Sequence, residues 1–249
     1  MKTYVITLER SKERNLYIKK HVVKRSLDYQ IIPAVDGSLL TEEDIKNTCN
    51  LEIVNQNKRW LTNGAIGCAL SHLNAYLEFI KTPNRSAFII EDDVLLPKNI
   101  NLLLNEIERE IKPSEIILLY YSSFKPAKFS AIGETNLSFG GLYYPIDIKQ
   151  PISTTAYIIG REAAINLIKI IKPIRTAADS WFYFYSKGAF NSFRLHYPSL
   201  TLTKNFKSSI NYFKKGSIKH YLSLFINNYK IPILYHILKY NRKKILTKC

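Results

Sequence analysis

Short runs of apolar, often β-branched residues alternate along the first 200 positions with segments whose apolar residues recur every three or four places, so strands and amphipathic helices are expected in turn. Residues 4–8 read as a first buried strand, and the polar stretch Glu9-Arg10-Ser11-Lys12-Glu13-Arg14 leads into a helix. Residues 29–32 form a second short strand that runs into Pro33-Ala34-Val35-Asp36-Gly37, where Asp-Gly signals a turn. Thr41-Glu42-Glu43-Asp44 has the cap and first-turn acids of a helix start. Asn63 is placed to cap a helix with Ile66, Leu70, Leu73 and Leu77 on its apolar face. A buried strand ending in a loop within 88–96, a helix near 101–111 and a strand at 115–121 follow. Residues 122–144 read as a long loop, in which Pro126, Gly133, Gly140 and Gly141 are interleaved with aromatics. Strand character resumes at 152–160, and 161–171 is a helix with Ile165, Ile168 and Ile171 on one side. This order predicts an α/β fold with flanking helices.

Composition adds one asymmetry. Of 249 residues, 46% are apolar and 22% charged, an ordinary globular balance, but the net charge is +16 and Asp179 is the last acid in the chain. Lys204, Lys207, Lys214, Lys215, Lys219, Lys230, Lys239, Arg242, Lys243, Lys244 and Lys248 follow it unopposed. The first 179 residues are close to balanced, so a basic tail over 211–249 behind a domain over 1–210 points to an anionic partner surface, membrane or nucleic acid. The apolar-rich stretch 221–240 is broken by Asn227, Asn228, Lys230 and Pro232 and makes a poor membrane span. Met1-Lys2-Thr3 passes directly into the first strand without the apolar run of a signal peptide. Cys49, Cys68 and Cys249 are odd in number and widely spaced, which indicates neither a disulfide framework nor a zinc site and fits a reducing compartment.

The chemistry concentrates at Glu91-Asp92-Asp93, three carboxylates set between the apolar runs Phe88-Ile89-Ile90 and Val94-Leu95-Leu96. Burying unpaired carboxylates costs several kcal/mol each, so a cation or a hydrogen-bond network is expected beside them. One reading is a strand end whose acids meet solvent or backbone N–H groups; the other is a hard divalent cation at the carboxyl end of a strand, where open α/β sheets place ligands. Arg10 and Arg14 are either a charged first helical turn or cations for a diphosphate, and Asp36 either shapes its turn or accepts from a ribose hydroxyl. Gly64 and Gly67 weaken a helix start unless a backbone or ligand comes close there, while Ser71-His72 is polar in a packed helix. Asp179 stands beside Trp181, Phe182, Tyr183, Phe184 and Tyr185, which serve as core or as a sugar-stacking surface.

Taken together, Tyr4-Val5-Ile6-Thr7-Leu8-Glu9-Arg10 with Arg14, Pro33-Ala34-Val35-Asp36-Gly37, the Gly64-to-His72 stretch and Ile89-Ile90-Glu91-Asp92-Asp93-Val94 resemble, in order, glycosyltransferase family 25, the lipooligosaccharide galactosyltransferases of Gram-negative bacteria and their collagen-modifying relatives. The resemblance covers about residues 2–210 and departs at Ala65, where the family commonly has an acid. It implies a GT-A-like, Rossmann-type nucleotide-sugar-binding sheet with flanking helices, to which the charge pattern of the chain adds a basic helical C-terminal tail. The implied substrates are a UDP-hexose donor, UDP-galactose first, and a lipooligosaccharide acceptor, joined with inversion by a cytoplasmic enzyme peripheral at the anionic inner membrane and not bound to nucleic acid. Donor contacts would fall to Thr7, Leu8, Arg10, Arg14, Asp36, Gly64, Gly67, Ser71, His72, Glu91 and Asp92. Mn2+ or Mg2+ would be held by Asp93 with Glu91, and by His196 as a further ligand. Asp179 is the candidate base for the acceptor hydroxyl, with Asp147 next.

Overall fold

The computed structural model describes residues 1–123, 127–204 and 206, and the backbone of 245–248. In chain order the elements are β1 (Lys2–Thr7), α1 (Lys12–Val23), β2 (Tyr29–Pro33), a 3-10 turn (Gly37–Leu39), α2 (Glu42–Thr48), α3 (Leu51–Gln56), α4 (Asn63–Ile80), β3 (Ser86–Glu91), β4 (Val94–Leu95), α5 (Ile100–Glu110) and β5 (Glu115–Leu118). They continue with β6 (Ala127–Phe129), β7 (Thr135–Leu137), β8 (Gly140–Tyr143), β9 (Ala156–Gly160), α6 (Arg161–Ile171), α7 (Trp181–Ser186), β10 (Ser192–Tyr197), β11 (Leu202–Thr203) and β12 (Ile245–Lys248).

Eight strands make one mixed sheet in the order β2-β1-β3-β9-β5-β10-β8-β7. The edge β2-β1-β3 is parallel, as strand–helix–strand connections require, whereas β9 runs antiparallel between β3 and β5. Period-2 alternation divides the core between the two faces. Tyr4, Ile6, Ile89 and Tyr157 pack with α4 and α6; Val5, Phe88, Ile90 and Ile158 pack with residues of α1 and α5. Two small pairings, β4 with β11 and β6 with β12, lie outside the main sheet.

Several expectations need correction. The helix after residue 61 is capped by Thr62, whose hydroxyl accepts from the Ala65 N–H, and Asn63 is its first helical residue. Leu77 is 37% exposed; Ala69, Ala75, Tyr76 and Phe79 complete the buried face begun by Ile66, Leu70 and Leu73. In α6 the buried positions are Ala163, Ala164, Leu167 and Ile171, while Ile165 and Ile168 lie half-buried. The expected 122–144 loop carries β6, β7 and β8, and the last two extend the main sheet. Their backbones find partners by pairing, and strands of three or four residues are too short for an alternation to register. The tail expected over 211–249 lies outside the described residues apart from the backbone of β12. No helix among the described residues is long and apolar enough to cross a membrane.

Candidate active site

At the carboxyl ends of β1 and β3 lies a cleft of about 550 Å³, walled by the 3-10 turn, the start of α4 and by Thr203, Lys204 and Phe206. The strand alternation explains how the acidic triplet fills its floor. Glu91 continues the face of Ile89 and so turns toward α4; Asp92 continues the face of Ile90 and turns toward α1.

On the α1 side, the Thr7 hydroxyl donates to Asp92 Oδ2 at 2.9 Å, and the Arg14 guanidinium pairs with Asp92 Oδ1 and, at 3.0 Å, with Asp93 Oδ2. On the α4 side, Glu91 Oε1 accepts from the Thr154 hydroxyl at 2.6 Å and faces His72 Nε2 at 3.3 Å. Behind His72 the buried Tyr157 hydroxyl lies 2.8 Å from Nδ1 and 2.8 Å from the Tyr76 hydroxyl. Burial works against the Glu91 charge, but the hydrogen bond and charge of His72, the Thr154 hydroxyl and Arg14 bring its pKa below the usual value. Asp93 goes the other way: burial, then the Glu91 charge, push it up to about 7 despite Arg14.

Asp93 Oδ1 is buried and has no hydrogen-bond partner. Arg14 serves only its other oxygen, and a hard divalent ion with oxygen ligands fits the one left over. Asp93 and Glu91 are the residues placed to hold one. Cys68 and His72, four residues apart on one side of α4, bring their ligand atoms within 4.8 Å of each other and of Glu91. Burial, then the Glu91 and Asp179 charges, raise the Cys68 thiol well above its usual pKa; an oxygen-loving ion prefers the carboxylates of this corner to that sulfur.

A family model described as glycosyltransferase family 25 (LPS biosynthesis protein) matches residues 1–182. The chain belongs to glycosyltransferase family 25. It is 33% identical over 95 residues, 36% of its length, to a glycosyltransferase 25 family member of Anopheles gambiae, of which it spans 16%. To human procollagen galactosyltransferase 2 it is 25% identical over 174 residues, 66% of this chain and 27% of that one. To a glycosyltransferase of Haemophilus influenzae, named there only as a presumptive one, it is 26% identical over 182 residues, 71% of this chain and 61% of that one. The chain thus spans less than two thirds of each of these relatives.

For a family 25 chain the expected donor contacts converge well. Thr7, Leu8, Arg10, Arg14, Asp36, Gly64, Ser71, His72, Glu91, Asp92 and Asp93 all line the cleft. Arg10 pairs with Asp36, whose pKa is lowered by the Ser38 hydroxyl and backbone N–H and by Arg10 itself. Gly67 does not line the cleft: a Cβ there would lie 2.6 Å from the Val35 carbonyl, so this glycine lets α4 touch the 33–37 loop. Ser71 fastens the same contact, accepting from the Val35 N–H at 2.8 Å and donating to the Gly67 carbonyl. Ala65 is fully buried and brings no acid to the cleft.

His196 is not brought to the acidic cluster. Its fully buried ring donates from Nε2 to the Phe139 carbonyl at 2.6 Å, and burial lowers its pKa. Asp147 is exposed and accepts from the Lys149 N–H and the Gln150 amide of its own loop. Asp179 lies near Glu91 and His72, and burial, then the Glu91 charge, raise its pKa. Ser180 takes the cap position of α7, and Arg175 donates to the Pro173 carbonyl. Thr203, Lys204 and Phe206 line the cleft without having been singled out as site residues, because in sequence they merge with the basic tail.

Proposed function

We propose that the chain is a metal-dependent glycosyltransferase that moves a hexose from a nucleoside-diphosphate donor, UDP-galactose first, to a saccharide acceptor of the lipooligosaccharide kind. The observation that carries this is the carboxylate floor of the cleft, with Asp92 neutralised by Arg14 and Asp93 left with a buried oxygen lacking a partner. Galactose is favoured by the name of the procollagen relative, and a lipopolysaccharide-type acceptor by the description of the family model.

In this reading Thr7 and Arg14 fix Asp92 and Asp93, while His72 and Thr154 fix Glu91, so the floor is organised before donor arrives. A Mn2+ or Mg2+ ion on Asp93 and Glu91 would offset the charge that develops on the diphosphate as its bond to the sugar breaks. Asp179 takes the proton from the acceptor hydroxyl, and its raised pKa brings it nearer to neutral pH, where a general base works best. Attack from the face opposite the diphosphate inverts an α-linked donor to a β linkage. The basic residues after Asp179 fit docking on the anionic cytoplasmic face of the inner membrane.

The test is UDP release from UDP-galactose, UDP-glucose and UDP-N-acetylhexosamines, with Mn2+ and with chelator. Chelator-sensitive release, fastest with UDP-galactose, is expected. Failure of every UDP-hexose to turn over overturns the reading.

A further inference from the structure

Among the described residues seven charged side chains line the cleft, and their pairing is uneven. Arg10 is engaged by Asp36, and Arg14 by Asp92 and Asp93. Lys204 is the remaining cation, and among the described residues its ammonium makes no ion pair; it rests 4.2 Å from the centroid of the Tyr17 ring and 5.1 Å from that of Phe206. Among the described residues four carboxylates, Asp36, Glu91, Asp92 and Asp93, face three cations here, so with all of them ionised the bare cleft carries a surplus of negative charge that repels a diphosphate. A divalent ion reverses that surplus only because Lys204 is counted with it.

The backbone of Lys204 is fixed at the acidic turn. Its N–H donates to the Asp93 carbonyl at 2.7 Å, and Thr203, one residue earlier, pairs with Val94. The side chain is exposed and, among the described residues, rests on aromatic faces, an arrangement weaker than a charge-assisted hydrogen bond to a phosphate oxygen. We propose that Lys204 is the diphosphate-binding cation of this site, leaving the Tyr17 and Phe206 rings to meet the phosphate oxygens of the donor. The two arginines, which the sequence offers for that task, instead hold carboxylates in place. This inference rests on the nucleotide-sugar reading above.

The test compares UDP and uridine binding, by calorimetry in Mn2+, for the full-length protein, Lys204→Gln, Lys204→Arg and the control Lys128→Gln, an exposed lysine outside the cleft. Lys204→Gln keeps the backbone hydrogen bond and should fold as the parent does. It is expected to weaken UDP by roughly tenfold while leaving uridine unchanged, with Lys204→Arg recovering most of the loss and Lys128→Gln binding as the parent. UDP affinity within about twofold of the parent in Lys204→Gln, or an equal loss for uridine, overturns the assignment while the nucleotide-sugar reading stands. A parent protein that binds no UDP overturns both.

Discussion

The Tyr157 hydroxyl lies 2.8 Å from His72 Nδ1, and this contact directs the opposite ring nitrogen of His72 to Glu91. His72 therefore bears on the cleft chiefly through the carboxylate it holds. Tyr157→Phe strands the buried Tyr76 hydroxyl and His72 Nδ1 and should cost about 1–3 kcal/mol in urea unfolding. In steady-state kinetics kcat should fall several-fold with the donor KM little changed. Unchanged unfolding and kcat together would show that packing alone holds the ring.

Asp93→Asn removes a buried charge that lacks a partner on one oxygen. Without metal the variant should melt at or above the temperature of the parent, and the rise in Tm that Mn2+ gives the parent should disappear. Turnover should drop on the order of a thousandfold, since metal stabilisation of the leaving group is worth several kcal/mol. A variant that still gains Tm from Mn2+ would move the ion to other ligands.

His21 is buried, and its Nε2 accepts from the Leu96 N–H at 2.9 Å, so the ring must be neutral there. Burial, then the charges of Arg25, Lys204 and Lys24, lower its pKa to about 4, against about 6.5 in an unfolded chain. Between these values the unfolded state binds more protons. The His21 contribution is thus complete above pH 6.5 and is lost as pH falls toward 4. Urea melts across this range should show His21→Gln losing less stability than the parent, and parallel losses would reject the account.

Gly67→Ala places a methyl group 2.6 Å from the Val35 carbonyl and 2.9 Å from the Gly37 nitrogen, both backbone atoms. Alanine gains about 1 kcal/mol of helix propensity, but the overlap costs more, so a net loss of about 1–2 kcal/mol is expected. Because the displaced loop carries Asp36, donor affinity should weaken as well, measurable by UDP titration. A more stable variant would mean the loop yields freely.

Much of this site is legible in sequence because short-range rules govern it. The apolar flanks of Glu91-Asp92-Asp93 announce a strand end, alternation assigns each acid to a face, and two glycines at a helix start announce a close backbone approach, which the structure shows at Gly67. Thr41 and Asp44 form the reciprocal cap that their spacing predicts. What was hidden depends on sheet order. Nothing local says that β9 will be inserted beside β3, so the partnership of His72 with Tyr157 is invisible until the strands are arranged. Lys204 was hidden differently: it opens a basic run, and only its pairing next to Asp93 separates it from the lysines that follow. For His196, the choice between metal and carbonyl is decided by its burial and its hydrogen bond to the Phe139 carbonyl, which only the pairing of β10 with β8 brings about.

The antiparallel course of β9 has a consequence for how this enzyme family diversifies. In an all-parallel sheet the neighbour of β3 would bring its outgoing loop to the cleft; here the incoming segment, Ser153-Thr154-Thr155, arrives instead, with the Thr155 carbonyl accepting from the Glu91 N–H. Insertions and deletions upstream of Ser153 can therefore reshape this rim of the cleft while the parallel edge β2-β1-β3 keeps its register; on the reading proposed above, that would let the acceptor side vary without redesigning donor recognition.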